Sequence, residues 1–157
     1  MDRFISINGY QFKISEEDVK WIQLYDWRTT KSNSRHVYAV RRELGLDGII
    51  RVKYMHREIL GEEPKRLVYA DHKNGDTLDN RRENLRWATP QQSRFNSSVR
   101  YNNKLGVKGV HVFGKKYRAM ICHNGKRMHL GLFETIEEAK VAYDSMAKQL
   151  FGDFSRS

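Results

Sequence analysis

Asp71 and His72, inside the string ADHKNGD, are followed by Asn84 and Asn96 at successive intervals of twelve residues from His72. These residue types suit the hydrolysis of a phosphodiester. That reaction needs a base to take a proton from water and a cation to neutralise charge on the scissile phosphate and the leaving oxygen. His72 can serve as the base, and a divalent ion held by the Asp71 carboxylate and the Asn96 amide can supply the charge. One cysteine, Cys122, allows no internal disulfide and no thiolate cluster. Oxygen and imidazole donors favour Mg²⁺ or Mn²⁺, one divalent ion per chain, over structural zinc. Two blander readings stand beside this one: an Asp-His pair at a surface turn, and a calcium-type loop over Lys73 to Asn80. That loop lacks the ligand spacing and terminal Glu of an EF-hand.

The surrounding pattern says which elements hold these residues. LVYADH reads as a strand, KNGDTLDNRREN as a polar loop, LRWAT as a second strand and PQQSRFNSS as a helix, with Thr89 as cap and Pro90 in the first turn. Neighbours on an extended strand point to opposite faces, so the strand end must be irregular if Asp71 and His72 are to serve one site. Upstream, FISING reads as a short strand with a turn at Gly9, and Ser15 with Glu16, Glu17 and Asp18 as a capped helix start. Val19, Ile22, Trp21 and Tyr25 would form its apolar side. HVYAVRRE and IIRVKYM flank Asp47-Gly48 as a hairpin, and MHREILG is a short helix ending at Gly61. NSSVRYNNK reads as a linker, and no internal repeat is present.

Charge is distributed unevenly. The formal net charge is +10, and between Asn84 and Phe133 there are ten basic residues and no Asp or Glu, whereas the rest of the chain is balanced. A one-signed field of this kind suits a polyphosphate partner, and its alternation with apolar residues argues against a membrane-surface helix or a disordered lysine run. From Leu105 onward three strands and a helix are expected: GVKGVHVF, YRAMIC, RMHLGLF, then a helix with Thr135 and Glu138 as a capping box and an apolar face of Ala139, Ala142, Tyr143, Met146, Ala147 and Leu150. Tyr117, Ala119, Ile121, Met128, Leu130 and Leu132 should lie under that helix. Arg118, Met120, Cys122, Arg127, His129 and Gly131 should occupy the free face, suited to a DNA groove. No run approaches the roughly 20 apolar residues of a membrane span, and the N-terminus lacks the order of a secretory signal, so the expected compartment is cytoplasmic.

MHREILG, then DHKNGDTLDNRRENLRWAT, then Asn96 seven residues beyond Thr89 together resemble the HNH endonucleases, in particular the phage and intron-encoded homing type, over roughly residues 37 to 98. The resemblance implies a ββα-metal fold in which His72 is the general base and Asp71 and Asn96 ligate the metal. Asn84 matches the middle Asn of the family name and braces the loop of the catalytic site. His56 matches a preceding His-Arg pair, for which packing and catalysis both stay open. Asn96 stands where many members have a third His. Two protein ligands leave positions for water and phosphate oxygens, which suits Mg²⁺. Arg81, Arg82 and Arg94 are candidate phosphate contacts, with ordinary solvated charge as the equal alternative for the first two.

LGVKGVHV, KRMHLGLFETIEEA and AYD are similar to the plant ethylene-response-factor type of DNA-binding domain, over roughly residues 104 to 154. That resemblance implies DNA-facing residues Lys108, His111, Phe113, Arg118, Met120, Arg127 and His129. Lys108 and Arg127 keep a basic group at plant arginine positions. His111, Phe113 and Cys122 replace Arg, Met120 replaces Glu and His129 replaces Trp, so the plant target sequence does not transfer. The expectation is therefore an α+β protein: a nuclease domain over 1–98 with a β-rich extension, and over 99–157 a three-stranded antiparallel sheet packed on one helix. Its expected activity is metal-dependent cleavage of double-stranded DNA by a monomeric, homing-type nicking enzyme in a bacterial or phage-infected cell. The alternative is a non-cleaving, sequence-specific DNA-binding regulator on the same scaffold.

Overall fold

The computed structural model describes residues 2–32, 36–64, 68–99 and 102–155. Leu67 of the expected strand and Arg100 and Tyr101 of the expected linker lie outside them. The chain is a mixed helix-and-sheet protein of two units, Met1–Pro90 and Gln91–Ser157. This division falls before the expected boundary at 98/99, because Phe95 stacks on Phe151 within the second unit at a ring separation of 3.6 Å.

The first unit opens with a hairpin of β1 (Arg3–Ile7) and β2 (Tyr10–Ile14). Asn8 and Gly9 between them have φ of 48° and 81°, the pair of positive values that a two-residue turn matching strand twist requires. β2 was not expected, yet its alternation buries Phe12 and Ile14. The helix expected after Ser15 is cut short to a 3₁₀ turn, Glu16–Asp18, and one turn of α1 (Val19–Ile22). Ser15 caps nothing there. Its Oγ accepts the Arg82 backbone N–H at 3.0 Å instead.

β3 (Arg28–Lys31), also unforeseen, joins the expected hairpin of β4 (Val37–Leu44) and β5 (Ile50–Tyr54) in an antiparallel sheet ordered β3-β4-β5. α2 (Met55–Leu60) follows and ends at Gly61. β6 (Tyr69–His72) pairs antiparallel with β8 (Leu85–Ala88), and the two-residue β7 (Asp79–Asn80) lies parallel to β2, with Ile14 opposite Asn80. Phe12, Ile14, Ile22, Met55 and Ile59 form the centre of the core with Trp27, Val37, Ala39 and Leu85. Met55 and Ile59, four apart on α2, present one face to it. Each such side chain stabilises the fold by about 1.5–3 kcal/mol through burial.

In the second unit, α3 (Pro90–Asn96) precedes the sheet β9 (Val110–Phe113), β10 (Lys116–His123) and β11 (Lys126–Phe133), ordered β11-β10-β9, and α4 (Ile136–Phe151). Asn124 and Gly125 again form a positive-φ turn, at 50° and 76°. Thr135 and Glu138 make both bonds of the capping box. Ala139, Tyr143, Ala147 and Phe151, spaced by four, are the buried stripe of α4. Gly109 lets the backbone approach this stripe: a Cβ there would stand 2.1 Å from the Tyr143 ring.

One strand departs from simple alternation. The β10–β11 register shifts between Ala119 and Met120, pairing Met120 with His129 but Ala119 with Gly131. Leu130 is the extra residue of this bulge, and every side chain after it changes face. Leu132, expected beneath α4, therefore pairs with Arg118 and is 45% exposed, while Phe133 takes the inner position. Gly131, expected on the free face, lies opposite the fully buried Ala119.

Candidate active site and nucleic-acid face

The β6–β8 ladder sets Asp71 opposite Arg86 and His72 opposite Leu85. It runs in register through His72 and is continued by the bond from Lys73 N–H to the Asn84 carbonyl, so the irregularity expected at the strand end is not found, and the two side chains leave β6 on opposite faces. There the chain turns back, with Gly75 N–H donating to the His72 carbonyl at 2.8 Å. Asp71 and His72 are both buried, at 8% and 6% exposure. They face different neighbours. Arg86 Nε donates to Asp71 Oδ2 at 2.9 Å in an ion pair that is about nine-tenths buried on both sides.

His72 Nε2 lies 3.1 Å from Asn80 Oδ1. Its ring centre is 5.1 Å from that of His56 and 6.4 Å from that of Tyr38. Burial pushes the His72 imidazole below the ordinary histidine value, against the opposing effects of the Asn80 hydrogen bond and the nearby carboxylates of Asp71, Asp76 and Asp79. The same cause pushes His56 down to about 3, reinforced by His72 and Arg57. Both rings are therefore neutral at pH 7. His56 also packs against Tyr38 and Tyr54, at 5.3 and 5.5 Å between ring centres. The Tyr38 hydroxyl is pushed up, by burial first and then by Tyr54 and Asp71.

Asn84, buried at the end of a 3₁₀ turn, ties the intervening loop together. Its Oδ1 accepts Asn74 N–H at 3.0 Å, its Nδ2 donates to Asp79 O at 2.7 Å and to Asn74 Oδ1 at 3.0 Å, and its carbonyl accepts Lys73 N–H at 2.8 Å. The loop is thus fixed by amide groups on both sides of β7.

Arg81 and Arg82, candidates for phosphate contact, are engaged by carboxylates. Arg81 bonds Asp79 through Nε at 2.8 Å and a terminal nitrogen at 2.7 Å, and also pairs with Asp2 and Glu83. Arg82 grips the fully buried Asp18 at 2.9 and 2.6 Å and pairs with Glu17 at 2.6 Å. Asp18 also accepts from Trp21 Nε1 at 2.8 Å. These guanidiniums neutralise carboxylates that would otherwise be buried alone, so their service is to the fold.

Asn96 is buried, at 4% exposure, at the end of α3 in the second unit, and Arg94 is exposed in the same helix. Among the described residues no group of three or more His, Cys, Asp or Glu is arranged to hold a metal. What the first unit offers a cation is an oxygen donor at Asp71, which fits a hard divalent ion that keeps its waters.

On the second unit's sheet, ladder partners share a face, and His111 with Arg118, Met120 with His129, and Cys122 with Arg127 all lie opposite α4. The Arg118 guanidinium lies over the Phe113 ring, 4.9 Å from its centre, and its Nε is buried without a hydrogen-bond partner among the described residues. Six of the seven expected DNA-facing residues are therefore brought onto one surface, with Leu132 added by the bulge. Lys108 stands apart before β9, and its Nζ donates to the Phe95 carbonyl at 2.9 Å. Sequence reasoning missed Arg86, Asn80 and Tyr38. Pairing LRWAT against VYADH in register would have found Arg86, whereas Asn80 had no distinguishing signal in an asparagine-rich loop.

A model of the HNH endonuclease family matches residues 54–94, which span α2, the β6–β8 hairpin and the start of α3. An HNH endonuclease of Acanthamoeba polyphaga mimivirus is 36% identical over 138 residues, covering 87% of this chain and 69% of the relative. The chain belongs to the HNH endonucleases. No solved structure matches it. In this HNH endonuclease the matched stretch contains Asp71, His72, Asn80, Asn84 and Arg86, the residues joined by the hydrogen bonds above. The viral relative extends the likeness well beyond that stretch. Among the described residues of this HNH endonuclease no helix is long and apolar enough to cross a membrane.

Proposed function

We propose that this HNH endonuclease is a metal-dependent enzyme that nicks double-stranded DNA at directed sites, in the manner of homing endonucleases. The observation that carries the reading is the buried Asp71-His72 pair at the end of β6, with His72 neutral, bonded to Asn80 and next to a loop pinned by Asn84. A neutral imidazole is the form a base requires. His72 takes a proton from water as the water oxygen bonds phosphorus, and the bond from phosphorus to the 3′ oxygen breaks, leaving a 5′ phosphate. By the resemblance, Asp71 and Asn96 would hold the divalent ion, Mg²⁺ or Mn²⁺. Bound there, it supplies Lewis-acid stabilisation of charge on the phosphate and leaving oxygen. The Arg86 guanidinium orients the Asp71 carboxylate and keeps its charge in place.

The ββα-metal arrangement is supported by the order β6, loop, β8, α3 and by the family match. The second unit acts in this proposal as an ethylene-response-factor type reader, laying its free sheet face in a DNA groove. Lys108, His111, Phe113, Arg118, Met120, Arg127 and His129 supply the contacts, with Arg94 at a phosphate. Arg118 suits this role because the Phe113 ring beneath it pre-orients the guanidinium. The enzyme works as a monomer in the cytoplasm of a bacterial or phage-infected cell, making one nick per bound chain.

The Asp71–Arg86 ion pair also favours a second reading, a non-cleaving regulator, since Arg86 already neutralises the carboxylate a metal would use. Incubation of supercoiled plasmid carrying a target with Mg²⁺ or Mn²⁺ separates the two. Nicked circles from wild type and none from His72→Ala support the enzyme, while tight binding with intact supercoils supports the regulator.

A further inference from the structure

The β4–β5 hairpin presents an apolar surface to solvent. Leu44, Leu46, Ile49, Ile50 and Val52 are each more than half exposed, and Leu46 at the tip is fully so. Apolar residues scattered singly on a surface are ordinary, but a contiguous set marks a contact surface. We infer that this hairpin is a DNA-contact arm of the first unit, with Arg42 on a backbone phosphate and Leu46 in the groove beside the scissile bond. The inference rests on the reading of His72 as the place where DNA is cut.

The two faces of the hairpin differ. Ladder partners share a face, so Arg41 with Lys53 and Glu43 with Arg51 lie on one side, and Arg42 with Val52 and Leu44 with Ile50 on the other. The first side is closed by ion pairs: Arg41 to Glu43 at 2.8 Å and to Glu58 at 2.7 Å, Lys53 to Glu43 at 3.2 Å, and Arg51 to Asp47. The second is apolar around an exposed cation, Arg42, which makes no ion pair among the described residues. Hydrogen bonds tie the tip down. Gly45 N–H donates to the Ile49 carbonyl and Gly48 N–H to the Gly45 carbonyl, both at 2.9 Å. Asp47 Oδ1 accepts the Ile49 N–H at 3.1 Å and an Arg51 terminal N–H at 2.8 Å. A leucine held at the apex of such a turn meets a partner with little further ordering cost.

Continuity with the site identifies the partner. Tyr38 lies on the same side of β4 as Arg42 and Leu44, and its ring centre is 5.3 Å from that of His56 and 6.4 Å from that of His72. Tyr54, opposite Val40 on that side, meets Tyr38 at 6.0 Å and His56 at 5.5 Å. The face that begins at His72 thus runs out along the hairpin, and Leu44 lies about 20 Å along the strand from Tyr38, the length of roughly six base-pair steps. A substrate seated at His72 lies across this face. Duplex DNA offers both things the face can use: a phosphate for Arg42, and base edges and base steps that admit a leucine wedge. A second copy of this chain would set Arg42 against Arg42 between molecules of net charge +10. Any other protein covering the face would also cover the approach to His72.

Photo-cross-linking reads the contact directly. Benzoylphenylalanine replaces Leu46 in the full chain, and the same group in place of Leu24, 78% exposed in the first unit but outside the hairpin, is the control. Each protein is irradiated on the linearised target plasmid without metal, and stops of primer extension locate the cross-links. The expected result is DNA cross-linked through position 46 well above the control, within about ten nucleotides of the nick. A DNA yield no higher than the control, or cross-links from chain to chain, would overturn the inference. Cross-linking needs no cleavage, so DNA captured through position 46 by a protein that never nicks supports the arm while failing the nuclease reading.

Anisotropy on a short duplex from the same plasmid separates the two residues. Leu46→Ser should weaken binding about tenfold or more with the salt slope unchanged. Arg42→Ala should reduce the slope of log affinity against log salt by about 1. Both side chains are exposed, so neither change reaches the core. Wild-type affinity in the first variant, or a wild-type slope in the second, would overturn the role assigned to that residue.

Discussion

His56 makes the first unit sensitive to acid in a way that can be worked out beforehand. The residue is 6% exposed, sits among the rings of Tyr38, Tyr54 and His72, and is pushed down to about 3 by burial. In the unfolded chain it titrates near the ordinary value of about 6.5. Below that value the unfolded state binds a proton that the folded state refuses, so stability is full above it and falls as pH drops toward 3. Each pH unit in that window costs about 1.4 kcal/mol, which amounts to about 2 kcal/mol between pH 7 and pH 5 for this one residue. His72 shifts in the same direction and adds to the slope. His56→Phe keeps a ring in place and removes the titration. Urea unfolding followed by tryptophan fluorescence suits the test, because Trp21, Trp27 and Trp87 are the chain's three tryptophans and all lie in the first unit. The variant should lose about 2 kcal/mol less than wild type over that range. Equal losses in the two proteins would refute the reasoning.

Removing the Arg86 side chain should be costly, because Asp71 would keep a buried charge without its cross-strand cation. Arg86→Ala is expected to lower the stability of the first unit by roughly 3–5 kcal/mol in urea melts at pH 7. The bulge in β11 predicts an asymmetry between two leucines. Leu130→Ala should cost roughly 2–5 kcal/mol, whereas the 45%-exposed Leu132→Ala should change thermal stability by less than about 0.5 kcal/mol, a contrast calorimetry can resolve. On the free sheet face, Arg127→Ala should weaken DNA binding and reduce the slope of log affinity against log salt by about 1, measured by fluorescence anisotropy from low to physiological salt. Arg81→Ala should instead leave that slope unchanged while lowering stability, because its guanidinium is taken by Asp79.

Legibility in the sequence followed the range of the forces involved. The β4–β5 hairpin, α2, the β6–β8 pair, the second unit's three strands and the capped α4 were all readable, since alternation, turn residues and caps act within a few positions. β2 escapes the local pattern although Phe12 and Ile14 alternate cleanly, because a turn at Gly9 fits the end of a strand as well as the middle of a hairpin. β3, with Arg-Thr-Thr-Lys, has no apolar signal and exists through its pairing with β4. Ser15 looked like a helix cap by local rules, and a contact 67 positions away claimed its hydroxyl. Leu132 failed for a similar reason, since a bulge is set by the partner strand. At the site, Asp71, His72 and Asn84 stood out by type and spacing. Arg86, Asn80 and the two structural arginines depend on pairing across the fold, which spacing alone does not encode.

The central claim is that His72 at the end of β6 is the base of a DNA-cleaving site. Its most direct test is the conversion of target-bearing supercoiled plasmid to nicked circles with Mg²⁺ or Mn²⁺, comparing wild type with His72→Ala at equal DNA occupancy. The account predicts nicking by wild type and loss of at least about 10²-fold in rate for the variant, with binding retained. Equal rates in the two proteins, or bound plasmid left supercoiled by both, would contradict it.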